Sequence, residues 1–194
     1  MKILLASSSP YRRQQLQQLG LPFDCASPDI DETPLVHESI DDYVLRLARQ
    51  KAEVLASDWP EHWIIGSDQS CSLNGTIVGK AGNLERAQQQ LRDCSGQRIR
   101  FATAVALWHQ GQCRTALEPI EVQFRQLTDA DILHYLQLEQ PFDCAGSFKI
   151  EGLGIHLFEG IYGRDFNSLI GLPLIALLEL FRQAGANPLA EVKR

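Results

Sequence analysis

Two short segments carry residue types suited to phosphate chemistry. The first, Ser7-Ser8-Ser9-Pro10-Tyr11-Arg12-Arg13, joins an apolar run to a helix start. Hydroxyls, the free backbone N–H groups of a first helical turn and guanidinium forks are all good phosphate ligands. The second, Trp63-Ile64-Ile65-Gly66-Ser67-Asp68-Gln69, is an apolar strand ending in one carboxylate, which places a base or a metal ligand at a sheet edge. Together they point to metal-assisted chemistry on a nucleotide phosphate. Each has a plain alternative: a capped surface helix with solvated arginines, and a turn aspartate accepting backbone hydrogen bonds. Ile64 and Ile65 favour the functional reading of Asp68, because they demand burial and leave the carboxylate at the rim of a core.

Three further segments could contribute. Lys80 follows Asp68 across a predicted hairpin and is a candidate phosphate contact, although a lysine at a strand end is usually solvated. Asp29-Ile30-Asp31-Glu32-Thr33-Pro34 concentrates three carboxylates in a proline-bounded loop. Mg²⁺ usually takes one or two carboxylates together with substrate phosphates; an acidic surface loop is the commoner outcome for such a sequence. Gly146-Ser147-Phe148-Lys149-Ile150-Glu151-Gly152 is bracketed by glycines and implies close backbone approaches. The chain has no GxxxxGK[ST], GxGxxG, GxSxG or HExxH, and its five histidines are scattered without metal-ligand spacing.

The elements that must position these residues are legible in outline. Residues 2–6 suit a buried strand; Ser9 then caps a helix with Pro10 at its first position and Gly20 beyond its end. Leu16 and Leu19 give that helix an inward face, and residues 22–27 read as extended. From Ser39 to Ser57 apolar residues recur at helical spacing, with Lys51 on the same run. Residues 62–80 predict a hairpin around a type I′ Asn74-Gly75 turn. Asn83 caps a helix that runs through Cys94, and residues 98–109 and 112–126 form a longer hairpin. Thr128 and Asp131 resemble a capping box for a helix ending before Pro141. Residues 150–158 read as extended, and a last helix spans Gly171 to Gly185. Hairpins mixed with helices imply an α/β protein with a mixed sheet.

Composition narrows the function classes. A chain of 194 residues, 44% hydrophobic and 22% charged, fits a single domain or two small lobes sharing one sheet. The net charge of −6, with no basic run beyond Arg12-Arg13, argues against broad nucleic-acid binding. No apolar stretch has transmembrane length, and the apolar run after Met1 is too short for a secretory signal. Five widely spaced cysteines without a CxxC pair suggest reduced thiols in the cytosol, most of them small core residues. Asn74-Gly75-Thr76 matches a glycosylation sequon but reads as turn chemistry.

In sum of motifs, the chain resembles the Maf (septum-formation) nucleotide pyrophosphatases. Leu4 to Arg13, Asp31-Glu32, Lys51, Gly66-Ser67-Asp68-Gln69, Gly79-Lys80, Ala145-Gly146-Ser147 and Gly171-Leu172-Pro173 follow in that family's order, covering nearly the whole chain. The resemblance implies hydrolysis of nucleoside triphosphates to monophosphate and pyrophosphate with a divalent cation, Mg²⁺ or Mn²⁺. The implied fold is α/β and inosine-triphosphatase-like: a bent mixed sheet with flanking helices and a central cleft, here as one domain of two lobes. It assigns Asp68 as the proton acceptor, Ser7, Ser9, Arg12, Lys51 and Lys80 as triphosphate ligands, and Glu32 as a metal ligand.

Within the family the chain is similar to the 7-methyl-GTP branch, through Tyr11, Gln69 and Glu151. Tyr11 stands where close relatives carry tryptophan and the dTTP/UTP branch carries arginine; Gly79-Lys80-Ala81 replaces the usual Gly-Lys-Pro. A methylated guanine is cationic, and a cation over an aromatic face gains roughly 0.5–2 kcal/mol. Glu151 would accept the guanine N1 and N2 hydrogens. The expectation is therefore a cytoplasmic pyrophosphatase for 7-methyl-GTP, without nucleic-acid or membrane partners and with a homodimer left open. A dTTP/UTP or broader specificity is the alternative within enzymes; a nucleotide-sensing regulator of cell division is the alternative outside them.

Overall fold

The computed structural model describes residues 1–73 and 76–192, the side chain of Thr76 excepted, so the predicted Asn74-Gly75 turn lies outside the described residues. Seven strands form one mixed sheet in the order β2-β1-β3-β5-β6-β7, with β4 paired to β3. The strands are β1 (Ile3–Ala6), β2 (Asp24–Ala26), β3 (Trp63–Leu73), β4 (Thr76–Val78), β5 (Arg98–His109), β6 (Gln112–Phe124) and β7 (Phe158–Tyr162). The helices are α1 (Pro10–Gln17), α2 (Ile40–Glu53), α3 (Leu84–Cys94), α4 (Asp129–Glu139), α5 (Asn167–Ile170), α6 (Leu174–Gln183) and α7 (Pro188–Glu191). Among the described residues no helix is long and apolar enough to cross a membrane.

Helix starts follow their caps. Ser9, Ser39 and Asn83 each accept a backbone N–H from the first turn of α1, α2 and α3 respectively. Thr128 and Asp131 complete both halves of the capping box of α4. The β5–β6 turn has Gln110 at φ 48° and Gly111 at φ 78°, the two positive angles that a two-residue primed turn requires.

Three expectations need correction. Residues 150–158 are not extended throughout: Leu153–Leu157 forms a 3₁₀ helix, and only β7 beyond it is strand. Gly154 explains the turn, because a Cβ there would meet the carbonyl oxygen of Lys149 at 2.3 Å. The helix expected from about Gly171 to Gly185 is α6 alone, which starts only after Pro173, and the short α5 before Gly171 was not expected. All five cysteines are free thiols, but only Cys71 and Cys94 are buried, whereas Cys25 on the edge strand β2 is exposed.

The contacts separate into two compact units: residues Met1–Gln69, Thr103–Glu118 and Asp165 onward form the first, and Ser70–Ala102 with Pro119–Arg164 the second. The first unit has a core of Ile3, Leu5, Leu16, Ile65, Val105, Leu107, Leu177 and Phe181. In the second, Phe101, Phe124, Phe148 and Phe158 pack edge to face, with centroids 4.8–6.0 Å apart.

Candidate active site

Strand β1 explains where the site lies in the first unit. It runs parallel to β3, pairing Ile3, Leu4 and Leu5 with Trp63, Ile64 and Ile65. The chain then leaves β1 at Ala6 for the serine turn, while β3 continues to Leu73. Asp68 is therefore not at a strand end or a sheet edge, as the sequence suggested. It lies within an eleven-residue strand, just beyond the point where its neighbour stops. Open positions of this kind, past the carboxyl end of a short parallel strand, are where α/β sheets receive ligands.

Lys51 reaches Asp68 because of the helical period. Val44, Leu47, Ala48, Lys51 and Ala52 share the buried face of α2, so the pattern that buries leucine also buries this lysine. An ammonium taken from water needs counter-charge. It has two partners, Asp68 Oδ1 and Glu32 Oε1, each at 2.7 Å. Gly66 sets the approach of α2 to β3: a Cβ there would lie 2.1 Å from the carbonyl oxygen of Ala48 and 2.8 Å from the amide nitrogen of Ala52.

The serine turn is held by its own hydroxyls. Ser7 Oγ accepts the N–H of Ser9 at 3.1 Å, and Ser9 Oγ accepts that of Arg12 at 3.4 Å. Both hydroxyls act as acceptors in these bonds, which leaves their own protons out of the cap. Arg12 donates from Nε to the Gly171 carbonyl at 2.8 Å, which orients the terminal fork. Burial lowers the guanidinium pKa from its ordinary value, and the charges of Asp68 and Glu32 oppose that shift. Arg13 is exposed, as adjacent positions on a helix must face differently.

The Gly171 carbonyl belongs to a row of main-chain acceptors. Ser67 Oγ lies 2.9 Å from it and 2.8 Å from the Ala104 carbonyl, its single proton serving the two acceptors. Gln69 Nε2 donates to Ser168 (2.6 Å) and Leu169 (3.0 Å), Thr103 to Ser168 (2.7 Å), and Gln15 Nε2 to Asn167 (2.7 Å) and Leu172 (3.3 Å). Side chains from α1, β3 and β5 thus converge on residues 167–172, where a short helix would otherwise bury unpaired carbonyls. Asp165 ties the two ends of this segment, accepting the backbone N–H groups of Asn167 (2.9 Å) and Ile175 (2.8 Å). Gln15, Ser67, Thr103 and Asp165 are buried polar residues that sequence reasoning missed as parts of the site.

Tyr43 was missed as well. It lies on α2 and donates its hydroxyl to the Glu32 carbonyl at 3.0 Å. Burial, then the negative charges of Asp68 and Glu32, push the phenol up to about 12. The structure thus gathers Arg12, Glu32, Lys51 and Asp68 in one electrostatic cluster within the first unit, with Ser7, Ser9, half-buried Tyr11 and Gln69 on the elements around it.

Lys80 and Glu151 belong to the second unit. Lys80 is not a ladder partner of Asp68: the β3–β4 pairing closes at Cys71–Val78, and Lys80 bridges to Ala145. Ser147 donates to Gln90, whose amide donates to the Gly79 carbonyl at 3.1 Å, tying the loop after Ala145 to the lysine's own segment. Glu151 is exposed just before the 3₁₀ helix.

Among the described residues no group of three or more His, Cys, Asp or Glu side chains has metal-binding geometry. The donor set near Lys51 is two carboxylates, the number Mg²⁺ takes when phosphate and water supply the rest, so the residues fit a substrate-dependent cation.

A model of the Maf-like proteins matches residues 2–184. Among solved structures, the Ham1 protein of Staphylococcus aureus is 13% identical, with a TM-score of 0.50 over 95% of this chain and 100% of that one. A nucleoside-triphosphatase, dITP/XTP pyrophosphatase of Mycobacterium abscessus is 17% identical, with a TM-score of 0.44 over 95% of this chain and 97% of that one. The Ham1 likeness is one of fold, and agrees with the mixed sheet and flanking helices. With nearly its whole length matched, the chain belongs to the Maf-like protein family.

Proposed function

We propose that this protein is a nucleoside triphosphate pyrophosphatase whose preferred substrate is 7-methyl-GTP. The observation that carries the reading is the Asp68–Lys51–Glu32 cluster beside Arg12, two carboxylates and two cations at the mouth of a serine-capped turn. Ser7, Ser9, Arg12 and Lys51 hold the triphosphate, and Lys80 joins them on the strength of the family motif. Asp68 takes a proton from the attacking water, whose oxygen bonds to the α-phosphorus as pyrophosphate leaves. General-base action of this kind supplies about 10²–10⁴-fold, and positioning with charge neutralisation supplies the rest. Glu32 would hold a Mg²⁺ or Mn²⁺ ion, which would supply charge neutralisation on the triphosphate when bound.

Base choice falls to Tyr11, Gln69 and Glu151. Gln69 spends its amide N–H groups on Ser168 and Leu169, which fixes its orientation. Tyr11 offers an aromatic face to a cationic base, and Glu151 is assigned through the family motif alone. Pyrophosphate release from a panel of triphosphates tests the reading. The 7-methyl-GTP rate should exceed those for GTP, UTP and dTTP. Equal rates for GTP and 7-methyl-GTP would remove the base assignment and leave the pyrophosphatase reading standing; no pyrophosphate from any triphosphate would remove both.

A further inference from the structure

The acidic loop that carries Glu32 has no regular secondary structure of its own, yet it is tied down at several points by one face of α2. Tyr43 donates to the Glu32 carbonyl at 3.0 Å. Arg46, one turn further along, donates through Nη2 to the Thr33 carbonyl at 3.1 Å. The same guanidinium grips Glu38 with two bonds, Nε to Oε1 at 2.6 Å and Nη2 to Oε2 at 2.8 Å, and rests 5.6 Å from the Tyr43 ring centroid. Glu38 Oε2 in turn accepts the N–H of Leu35 at 3.0 Å. Within the loop, Asp31 Oδ1 accepts the N–H of Thr33 at 2.9 Å. The residues on either side of the Glu32 side chain are thereby pinned, which aims its carboxylate at Lys51.

We propose that Tyr43 and Arg46 are positioning residues that brace the backbone of Glu32 so that its carboxylate meets the divalent cation, with Glu38 fixing Arg46 for that task. The inference rests on Glu32 being a metal ligand, as in the function proposed above. The physical ground is the disparity between the loop and its tethers. A half-exposed carboxylate on an irregular loop samples many positions, and each immobilised degree of freedom on binding costs affinity. Hydrogen bonds to the Glu32 and Thr33 carbonyls and from the Thr33 amide remove that freedom beforehand. A phenol is protonated across the ordinary working pH range and so remains a donor there. Arg46 is charged throughout that range, so its fork is a constant clamp.

The test measures Mn²⁺ binding by electron paramagnetic resonance in the presence of the α,β-methylene analogue of 7-methyl-GTP, for the wild type, Tyr43→Phe, Arg46→Met and Glu32→Gln. Tyr43→Phe removes one hydrogen bond and should weaken Mn²⁺ binding by about threefold to tenfold. It should hold kcat at saturating Mn²⁺ within about twofold and leave the melting temperature unchanged within a few degrees. Arg46→Met should weaken Mn²⁺ further, because it frees both Thr33 and Glu38. Wild-type affinity for Mn²⁺ in Tyr43→Phe, while Glu32→Gln loses the ion, would overturn the brace and keep Glu32 as a ligand. Undiminished binding in Glu32→Gln, or no binding by the wild type, would overturn the metal reading and the brace with it. A parallel fall in kcat at saturating Mn²⁺ and in melting temperature would make both residues merely structural.

Discussion

The two ends of the cluster around Asp68 are held by different means. On one side Arg12 is fixed by the Gly171 carbonyl, within a row of buried main-chain acceptors that also receives Gln15, Ser67, Gln69 and Thr103. On the other, Glu32 is half-exposed on a loop held by side chains of α2. Buried hydrogen bonds to main-chain carbonyls are costly to lose, because the carbonyl left behind has no water to turn to. Exposed tethers can part and reform. The first construction is the more costly to break, and the second pre-orders Glu32 through weaker bonds near the surface.

The largest effect should come where the two constructions meet, at Gly66. In Gly66→Ala the new methyl collides with main-chain atoms of α2 that cannot rotate away. We expect a loss of about 3 kcal/mol or more in urea unfolding, or failure to fold. A fully stable variant would show that the α2–β3 approach is looser than described.

Asp68→Asn keeps the shape of the side chain and removes its proton affinity. Turnover should fall by about two decades or more while nucleotide binding persists. Near-normal kcat would take Asp68 out of the mechanism; loss of binding as well would make it a metal ligand. Arg12→Ala should weaken triphosphate binding far more than nucleoside binding, whereas Arg13→Ala, at an exposed position, should do neither.

The contrast sharpens when only hydroxyls are removed. Thr103→Val and Ser67→Ala on the carbonyl row should each cost roughly 0.5–1.5 kcal/mol of stability, since each removes one donor from a buried carbonyl that keeps a second. Tyr43→Phe, on the loop side, should cost less stability than either and show its effect in metal affinity. Equal stability losses on both sides would erase the distinction.

Acid should produce the smallest and most local change. Arg46 holds the Glu38 pKa below its ordinary value, and hydrogen bonds from Thr33 do the same for Asp31. A lowered folded-state pKa means that these contacts stabilise the loop above the unfolded-state value. That contribution is lost as pH falls through the folded-state value. Amide hydrogen exchange, corrected for intrinsic rates, should therefore show Thr33 and Leu35 losing protection below about pH 4. The Gly171 and Leu172 amides, which bond to the Asn167 carbonyl, should hold. Simultaneous loss at both sites would mean that the loop has no stability of its own to lose.

Much of the scaffold was legible because it rests on local rules. Ser9 with Pro10, Ser39, Asn83 and the Thr128–Asp131 box each announce a helix start within a few residues. Lys51 was visible on the apolar helical run, but its burial between two carboxylates was not. What the sequence concealed depends on long-range pairing. Asp68 reads as a strand end, and is one only for the neighbouring β1, which stops first. Gln15, Thr103 and Asp165 look like ordinary polar residues until residues 167–175 fold against them. The 3₁₀ turn at Leu153–Leu157 was hidden because glycine-rich segments carry little propensity of either kind.

The central claim is attack of water on the α-phosphorus with pyrophosphate as the leaving group. Hydrolysis of 7-methyl-GTP in ¹⁸O-enriched water, followed by mass spectrometry of the products, tests it most directly. The account predicts one ¹⁸O atom in 7-methyl-GMP, none in pyrophosphate, and loss of both products in Asp68→Asn. Label in pyrophosphate, or 7-methyl-GDP with labelled orthophosphate, would place the attack at another phosphorus and contradict it.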